Sequence, residues 1–215
     1  MGGSAPRLSV AGRTDAGVHA LGQVASFLGP DALAPERVQR ALNARLAPEV
    51  VIRGARRAPG GFDARHSATG RTYVYRIRTA DLPDPFTTRF VWHRPGPLAI
   101  GSMRRASRAL IGEHDFASFC RRPEPPAGTV RHVERIAVSI VGDEVRITVR
   151  AHAFCHQMVR SIVGTLVWAG DGRVEPDAVA GILAAGDRSS AGPIAPPQGL
   201  TLVAVRYGRP AERSL

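Results

Sequence analysis

The sequence contains no lysine, so all 29 basic residues are arginine, and only 18 acidic residues oppose them, leaving a formal net charge of +11. A charge excess of this size indicates a polyanionic partner, either a nucleic acid or an anionic membrane. Arginine suits phosphate because its planar guanidinium can donate two parallel hydrogen bonds. Genome composition alone can favour arginine over lysine, so we interpret the charge excess, and not the arginine choice, as functional.

Cysteine is equally scarce, with only Cys120 and Cys155 in 215 residues. Two cysteines do not make a disulfide framework, and we therefore expect a reducing, cytoplasmic location. No apolar run reaches the roughly 18 residues of a transmembrane helix, so no membrane association is expected. A metal is not expected either, because the spacing of His152, Cys155 and His156 does not match a common closed zinc site.

Hydrophobic periodicity predicts both helices and strands along the chain. The predicted helices span Pro35 to Leu46, Ile100 to Ile111, Cys155 to Ala169 and Pro176 to Ala185. The predicted strands are Gln23 to Leu28, Val50 to Ala55, Arg71 to Thr79, a hairpin with arms at Ile136 to Ile140 and Val145 to Ala153, and Gly199 to Tyr207. This order of elements predicts an α+β fold, with helices packed on one face of a mixed or antiparallel sheet.

The densest cluster of chemically useful residues is Ala11-Gly12-Arg13-Thr14-Asp15-Ala16-Gly17-Val18-His19-Ala20. Two glycines flank Asp15, and glycine permits positive φ and close approach of another molecule to the backbone. We therefore predict a tight turn that presents the Asp15 carboxylate. For a lone Asp-x-Gly, an ordinary polar turn would be the simpler interpretation.

The whole ten-residue string resembles the active-site signature of the tRNA pseudouridine synthase A family. Further segments similar to this family follow in the right order: Asn43 to Leu46, Phe62 to Ala68, Arg71 to Tyr75, Gly112 to Phe119, Phe154 to Gly164 and Gly199 to Val203. The resemblance implies the pseudouridine synthase fold, with two similar subdomains and an active-site cleft between them. We place these subdomains at residues 1–97 and 98–215.

The same resemblance implies an isomerase that converts uridine to pseudouridine at positions 38, 39 and 40 of the tRNA anticodon stem-loop, acting as a homodimer. In this reaction no atom is gained or lost and no electron leaves, so neither a metal nor another cofactor is required. A carboxylate is required, to attack the nucleoside or to stabilise it while the base detaches. The implied nucleophile is Asp15.

Tyr73 and Leu202 are implied to contact the target base after it leaves its stack. Stacking on an aromatic ring contributes about 1–3 kcal/mol, which helps to offset the cost of flipping. A tyrosine that alternates in a strand is more often a core residue, and Leu202 is equally well explained as a core leucine.

Three arginines are implied substrate-binding residues. Arg160 would pair with Asp15, although an ordinary arginine at the edge of a helix's apolar stripe is the alternative. Arg13 would hold the opened RNA. Arg65 is named only because it lies in a family motif, and a structural salt bridge explains it equally well.

The start of the chain departs from the family pattern, which has a strand with a Tyr-Asp-Gly element and a helix before the Asp motif. A misassigned start, a truncated product or a real loss would each explain this departure. If the strand belongs inside a sheet, its neighbour is expected to expose an edge. The alternative function is therefore a catalytically inactive RNA-binding protein or tRNA chaperone.

Overall fold

The computed structural model describes residues 6–30, 32–121 and 128–208. Its contacts divide the chain into two compact units: unit 1 comprises residues 1–11 and 24–67, and unit 2 comprises residues 12–23 and 68–215. The segment with the Asp motif therefore belongs to unit 2, although unit 1 residues flank it in sequence. The subdomain division at residue 97 stays a prediction, because these units are defined by contacts and not by internal similarity.

Nine strands and four α-helices are present in the described residues. The strands are β1 (Ser9–Val10), β2 (His19–Ala20), β3 (Ala25–Ser26), β4 (Ala68–Arg78), β5 (Trp92–His93), β6 (Gly112–Asp115), β7 (Val130–Val141), β8 (Glu144–Ala151) and β9 (Leu200–Tyr207). The α-helices are α1 (Pro35–Leu46), α2 (Ile100–Arg108), α3 (Met158–Gly170) and α4 (Val179–Ala185). Short 3-10 helices cover Ala117–Phe119, Pro176–Ala178, Arg188–Ser190 and Pro197–Gly199.

Unit 1 contains one short antiparallel pair, β1 with β3, and helix α1. Helix α1 begins at Pro35, whose fixed φ suits the first helical position. Its bounds match the prediction, and none of its residues is buried. The Asn43 side chain donates to the Ile52 carbonyl at 3.0 Å and accepts from the Ile52 N–H at 2.7 Å.

The strand predicted at Val50 to Ala55 is wrong, and Ile52 supplies the physical reason. Its N–H and its carbonyl are both occupied by the Asn43 side chain, and the Gln39 side chain donates to the same carbonyl at 3.0 Å. A backbone satisfied by side chains has no need of a neighbouring strand. Apolar and polar residues alternate weakly in this segment, but the segment does not pair with a strand.

Unit 2 is built on a seven-stranded sheet in the order β2-β9-β4-β8-β7-β6, with β5 also paired to β4. The β2–β9 and β4–β5 pairs are parallel, and the other pairs are antiparallel. Helix α2 contacts both β7 and α3. The predicted α+β class is therefore confirmed, as is the hairpin, which β7 and β8 form.

The core of unit 2 lies between this sheet and its helices. Helix α3 is buried on nearly every side, and Ile162 and Leu166 are fully enclosed together with Tyr75 and Ile147 from the sheet. Burying a large apolar side chain contributes about 1.5–3 kcal/mol. Most of the hydrophobic stabilisation of the chain therefore belongs to this unit.

Several predicted boundaries are corrected by local backbone geometry. Helix α3 begins at Met158 and not at Cys155, because Gln157 has a left-handed φ of 63°. Helix α2 ends at Arg108 and not at Ile111, and the segment at Pro176 begins as a 3-10 helix before α4. The strand predicted at Gln23 to Leu28 is only Ala25–Ser26. Three prolines between Arg121 and Gly128 predict a loop, and this segment lies largely outside the described residues.

Within the described residues, no helix combines the length and hydrophobicity needed to cross a bilayer. The same residues contain no group of three or more His, Cys, Asp or Glu side chains arranged to hold a metal ion.

Candidate active site

Asp15 lies at the start of the tight turn that the glycines predict. The Val18 N–H donates to the Asp15 carbonyl at 3.0 Å, and Gly17 has a φ of 81°. A Cβ added at Gly17 would lie 3.1 Å from the Pro197 side chain, so both its backbone angle and its surroundings favour glycine. The Asp15 side chain is 23% exposed, which leaves its carboxylate within reach of a ligand.

The two ends of this segment are fixed by hydrogen bonds inside unit 2. The Gln23 side chain donates to the Gly12 carbonyl at 2.6 Å and accepts from the Gly12 N–H at 3.3 Å. The N–H groups of Leu21 and Gly22 donate to the Leu202 carbonyl at 2.9 and 3.2 Å. The Asp15 turn is therefore attached to β9, which lies between β2 and β4 in the sheet.

The beginning of helix α3 supplies two partners for the Asp15 carboxylate. Arg160 Nη1 donates to Oδ2 at 2.7 Å, and His156 Nε2 lies 3.1 Å from Oδ1. The Arg160 side chain is only 12% exposed, whereas that of His156 is 50% exposed. A permanent positive charge and a second donor thus face a single carboxylate.

Arg160 is itself held in place by the chain before β9. Its Nε donates to the Ala195 carbonyl at 2.7 Å, and the Ala195 N–H donates to the Arg160 carbonyl at 3.1 Å. Because the guanidinium is planar, fixing Nε also fixes the direction of Nη1. The ion pair with Asp15 therefore rests on an oriented arginine.

The chain that holds Arg160 packs unusually closely against α3. A Cβ added at Gly164 would lie 1.7 Å from the Pro193 carbonyl oxygen, so only glycine fits there. The Gly192 N–H donates to the Thr165 hydroxyl oxygen at 2.9 Å. These contacts fix the position of Ala195 relative to the helix that carries Arg160.

Tyr73 and Leu202 face each other across β4 and β9 and lie beside the Asp motif. A Cβ added at Gly12 would lie 3.3 Å from the Tyr73 hydroxyl and 3.8 Å from Leu202. The Phe154 ring meets the Tyr73 ring edge-on, with centroids 5.2 Å apart. Burial raises the pKa of Tyr73 to about 12, and the charge of Asp15 adds to this effect, so its phenol is neutral at physiological pH.

The remaining two implied residues are Arg13 and Arg65. Arg13 is exposed and lies two residues before Asp15 on the same segment. Arg65 belongs to unit 1, where its backbone N–H donates to Asp63 Oδ1 at 2.8 Å. Its role in substrate binding stays a prediction.

Two residues of this site were missed as site residues by sequence reasoning. For His156 the signal is its predicted position on the same side as Arg160, four residues later, although sequence reasoning weighs the histidine itself only as a metal ligand and rejects that role. Gln23 offered no such signal, because its two bonds to Gly12 depend on the tertiary path of the chain.

The two cysteines of the chain lie next to this site and interact with each other. The interaction between the Cys120 and Cys155 thiols lowers the pKa of Cys155 to about 7 and raises that of Cys120. The Arg131 charge lowers the pKa of Cys155 further. Cys155 precedes His156 in the chain, so a reactive thiol neighbours the Asp15 partner.

Comparison with known proteins identifies the class to which this fold and site belong. A family model described as tRNA pseudouridine synthase matches residues 106–208. The chain is 44% identical over 208 residues to the tRNA pseudouridine synthase A of Acidiphilium cryptum, covering 96% of this chain and 82% of that protein. It is 48% identical over 207 residues to the corresponding protein of Frankia casuarinae, covering 94% of this chain and 74% of that protein.

The chain therefore belongs to the tRNA pseudouridine synthase family. This membership confirms the resemblance that the motifs predict, the fold class and the expected kind of enzyme, an isomerase.

Proposed function

We propose that this protein converts uridine to pseudouridine at positions 38, 39 and 40 of the tRNA anticodon stem-loop, with Asp15 as the nucleophile. Family membership supports pseudouridine formation in tRNA. One observation supports Asp15 as the nucleophile: Arg160 Nη1 donates a hydrogen bond to Asp15 Oδ2 at 2.7 Å and so holds the carboxylate in place. The site faces the neutral phenol of Tyr73 on one side and remains partly open to solvent.

The reaction breaks the N-glycosidic bond, turns the uracil and joins its C5 to C1′ of the same sugar. The hydrogen on C5 leaves as a proton, and N1 gains one. Asp15 attacks the nucleoside or stabilises it while the base is detached. Arg160 donates a hydrogen bond to one oxygen of the carboxylate and so holds Asp15 in place for this step.

The other residues act on the substrate in this proposal. Tyr73 and Leu202 form the wall against which the flipped uracil rests, and the phenol can donate a hydrogen bond because it stays protonated. Arg13 and Arg65 bind the opened RNA through its phosphates. The net charge of +11 suits this polyanionic partner. We expect the protein to work as a homodimer in the cytoplasm.

The test is release of tritium from C5-labelled uridine in an anticodon stem-loop, with wild type beside Asp15→Asn. This substitution keeps the size of the side chain and removes the charge. We expect wild type to release tritium and the variant to be slower by at least about 1,000-fold, because a nucleophile has no substitute. Stem-loops labelled at a single position, inside or outside 38–40, test the site of modification.

Two controls make the outcome specific. Asp81→Asn removes an exposed carboxylate from the same unit and should leave the rate unchanged. Stem-loop binding, measured by filter retention, should be kept by Asp15→Asn. If wild type binds the stem-loop but releases no tritium, the protein is an RNA-binding member of the family, and the enzymatic proposal is wrong.

A further inference from the structure

His156 contacts the one oxygen of Asp15 that Arg160 leaves free. We propose that His156 is a positioning residue, which together with Arg160 fixes the plane of the Asp15 carboxylate. This inference rests on the proposed role of Asp15 as the nucleophile. It assigns to His156 a task in the reaction that the charge of Arg160 alone cannot perform.

The need for a second contact follows from the freedom of an aspartate side chain. Its terminal torsion has no sharp preferred value, so a carboxylate bound through one oxygen can still rotate. Arg160 binds Oδ2 and His156 reaches Oδ1, at 2.7 and 3.1 Å. Two donors on two different oxygens remove this rotation, and the attacking lone pair then points in one direction.

The direction of the hydrogen bond is also set by chemistry. An ionised carboxylate only accepts hydrogen bonds, so His156 must present a proton on Nε2. Both the cation and the neutral Nε2–H tautomer satisfy this condition. Since the His156 side chain is 50% exposed, its other ring nitrogen has access to water.

The backbone around His156 is held firmly although its ring is exposed. The Arg121 N–H donates to the His156 carbonyl at 3.3 Å, and the Cys155 thiol lies 3.8 Å from the Thr129 carbonyl oxygen. Gln157 follows with a left-handed φ of 63°, a conformation that residues other than glycine rarely adopt. This turn places His156 just before the helix and Arg160 in its first turn, so both reach one carboxylate.

Steady-state kinetics on the anticodon stem-loop separate positioning from binding. For His156→Ala we expect kcat to fall by about 10- to 100-fold, because a nucleophile that rotates is misaligned, while KM changes by less than about twofold. His156→Gln retains a donor near the position of Nε2 and should recover part of kcat. His152→Ala is the matched control, since His152 is also exposed in unit 2 but contacts a backbone carbonyl.

Two kinetic results would overturn the inference. An increase in KM with unchanged kcat would make His156 a tRNA contact. Unchanged values of both would make its contact with Asp15 incidental.

A second measurement does not depend on turnover. In nitrogen-15 NMR spectra of the histidine rings, the His156 resonances, assigned by their loss in His156→Gln, should show a protonated Nε2 and should shift in Asp15→Asn. Resonances that do not respond to Asp15→Asn would overturn the inference by themselves. If wild type shows no turnover, the proposed function fails, and this spectrum decides the Asp15–His156 contact separately.

Discussion

The two units of this chain differ in how much apolar surface they bury. Among its described residues, unit 1 buries only the two alanines Ala11 and Ala64, and Leu28 is 92% exposed. Unit 2 encloses large side chains from every layer, such as Tyr75, Phe116 and Leu166. The same chain thus contains a unit with a true core and a unit ordered mainly by hydrogen bonds.

This difference indicates which unit fixes the positions of the side chains in the site. Asp15, His156 and Arg160 all belong to the unit with the core, and Asp15 joins it on a segment that interrupts unit 1 in sequence. Regions with few buried apolar contacts open at low free energy, whereas core elements open only with the whole unit. We therefore expect Asp15 to lie in the more stable of the two units, unit 2.

The largest expected difference between the units is in the stability lost when a leucine of each unit is replaced by alanine. Leu166→Ala removes a fully buried side chain of α3 and should lower the free energy of unfolding by about 2–5 kcal/mol. Leu42→Ala in α1, where no residue is buried, should cost less than about 1 kcal/mol, since alanine also favours the helix. Urea unfolding followed by far-UV circular dichroism measures both.

Tryptophan fluorescence refines this measurement. Both tryptophans, Trp92 and Trp168, lie in unit 2, so their emission follows that unit alone. A Leu42→Ala variant as damaging as Leu166→Ala would contradict the view that unit 1 lacks a core of its own.

A pair of glycine substitutions provides a contrast of intermediate size. Gly164→Ala would force a methyl group against the Pro193 carbonyl, and we expect a loss of about 1–3 kcal/mol from overpacking. Gly54 of unit 1 has open space around its missing Cβ, so Gly54→Ala should change stability by less than about 1 kcal/mol. Thermal melts of the two variants beside wild type give the answer, and equal melting temperatures would refute the contrast.

The smallest effect concerns thiol reactivity and leaves stability almost unchanged. Both cysteines lie in unit 2, so alkylation reports on this unit alone. The thiolate is the reactive form, and the pKa of Cys155 is lowered to about 7, so its alkylation rate should rise with pH through a midpoint near 7 before it levels off. Cys120 is buried and its pKa is raised, so it should stay unreactive while unit 2 is folded.

The substitution Cys120→Ala sharpens this last prediction. It removes the hydrogen bond to Cys155, and the midpoint of alkylation by iodoacetamide should move upward, toward the ordinary thiol value of 9.0. Cys120→Ser keeps a donor and should move the midpoint less. A midpoint near 9 in the wild type would show that the two thiols do not interact.

Local physics made part of this structure predictable from the sequence. Helix α1 is predictable from the proline at its start and from apolar residues spaced four positions apart. The β7–β8 hairpin is predictable from the alternation of apolar and polar residues along both strands. Gly17 specifies the turn at Asp15, because its backbone adopts a positive φ of 81°. In each of these cases, residues close in sequence determine the geometry.

The parts that escaped prediction depend on contacts between separate segments or on an unusual local backbone conformation. The apparent strand at Val50 to Ala55 fails because Asn43 satisfies the backbone of Ile52. Helix α3 starts late because Gln157 adopts a conformation that its residue type disfavours. The role of His156 became visible only with Asp15 beside it, 141 residues away in the chain.

The attachment of the Asp15 turn to β9 has a consequence for synthesis on the ribosome. Arg160 and Leu202, which hold the carboxylate and the segment of Asp15, are translated long after Asp15 itself. At about 5–20 residues per second, roughly 10–40 s separate the emergence of Asp15 from that of Leu202. Asp15 is therefore synthesised well before the partners of its carboxylate, and the site can form only once both Arg160 and Leu202 have emerged from the ribosome.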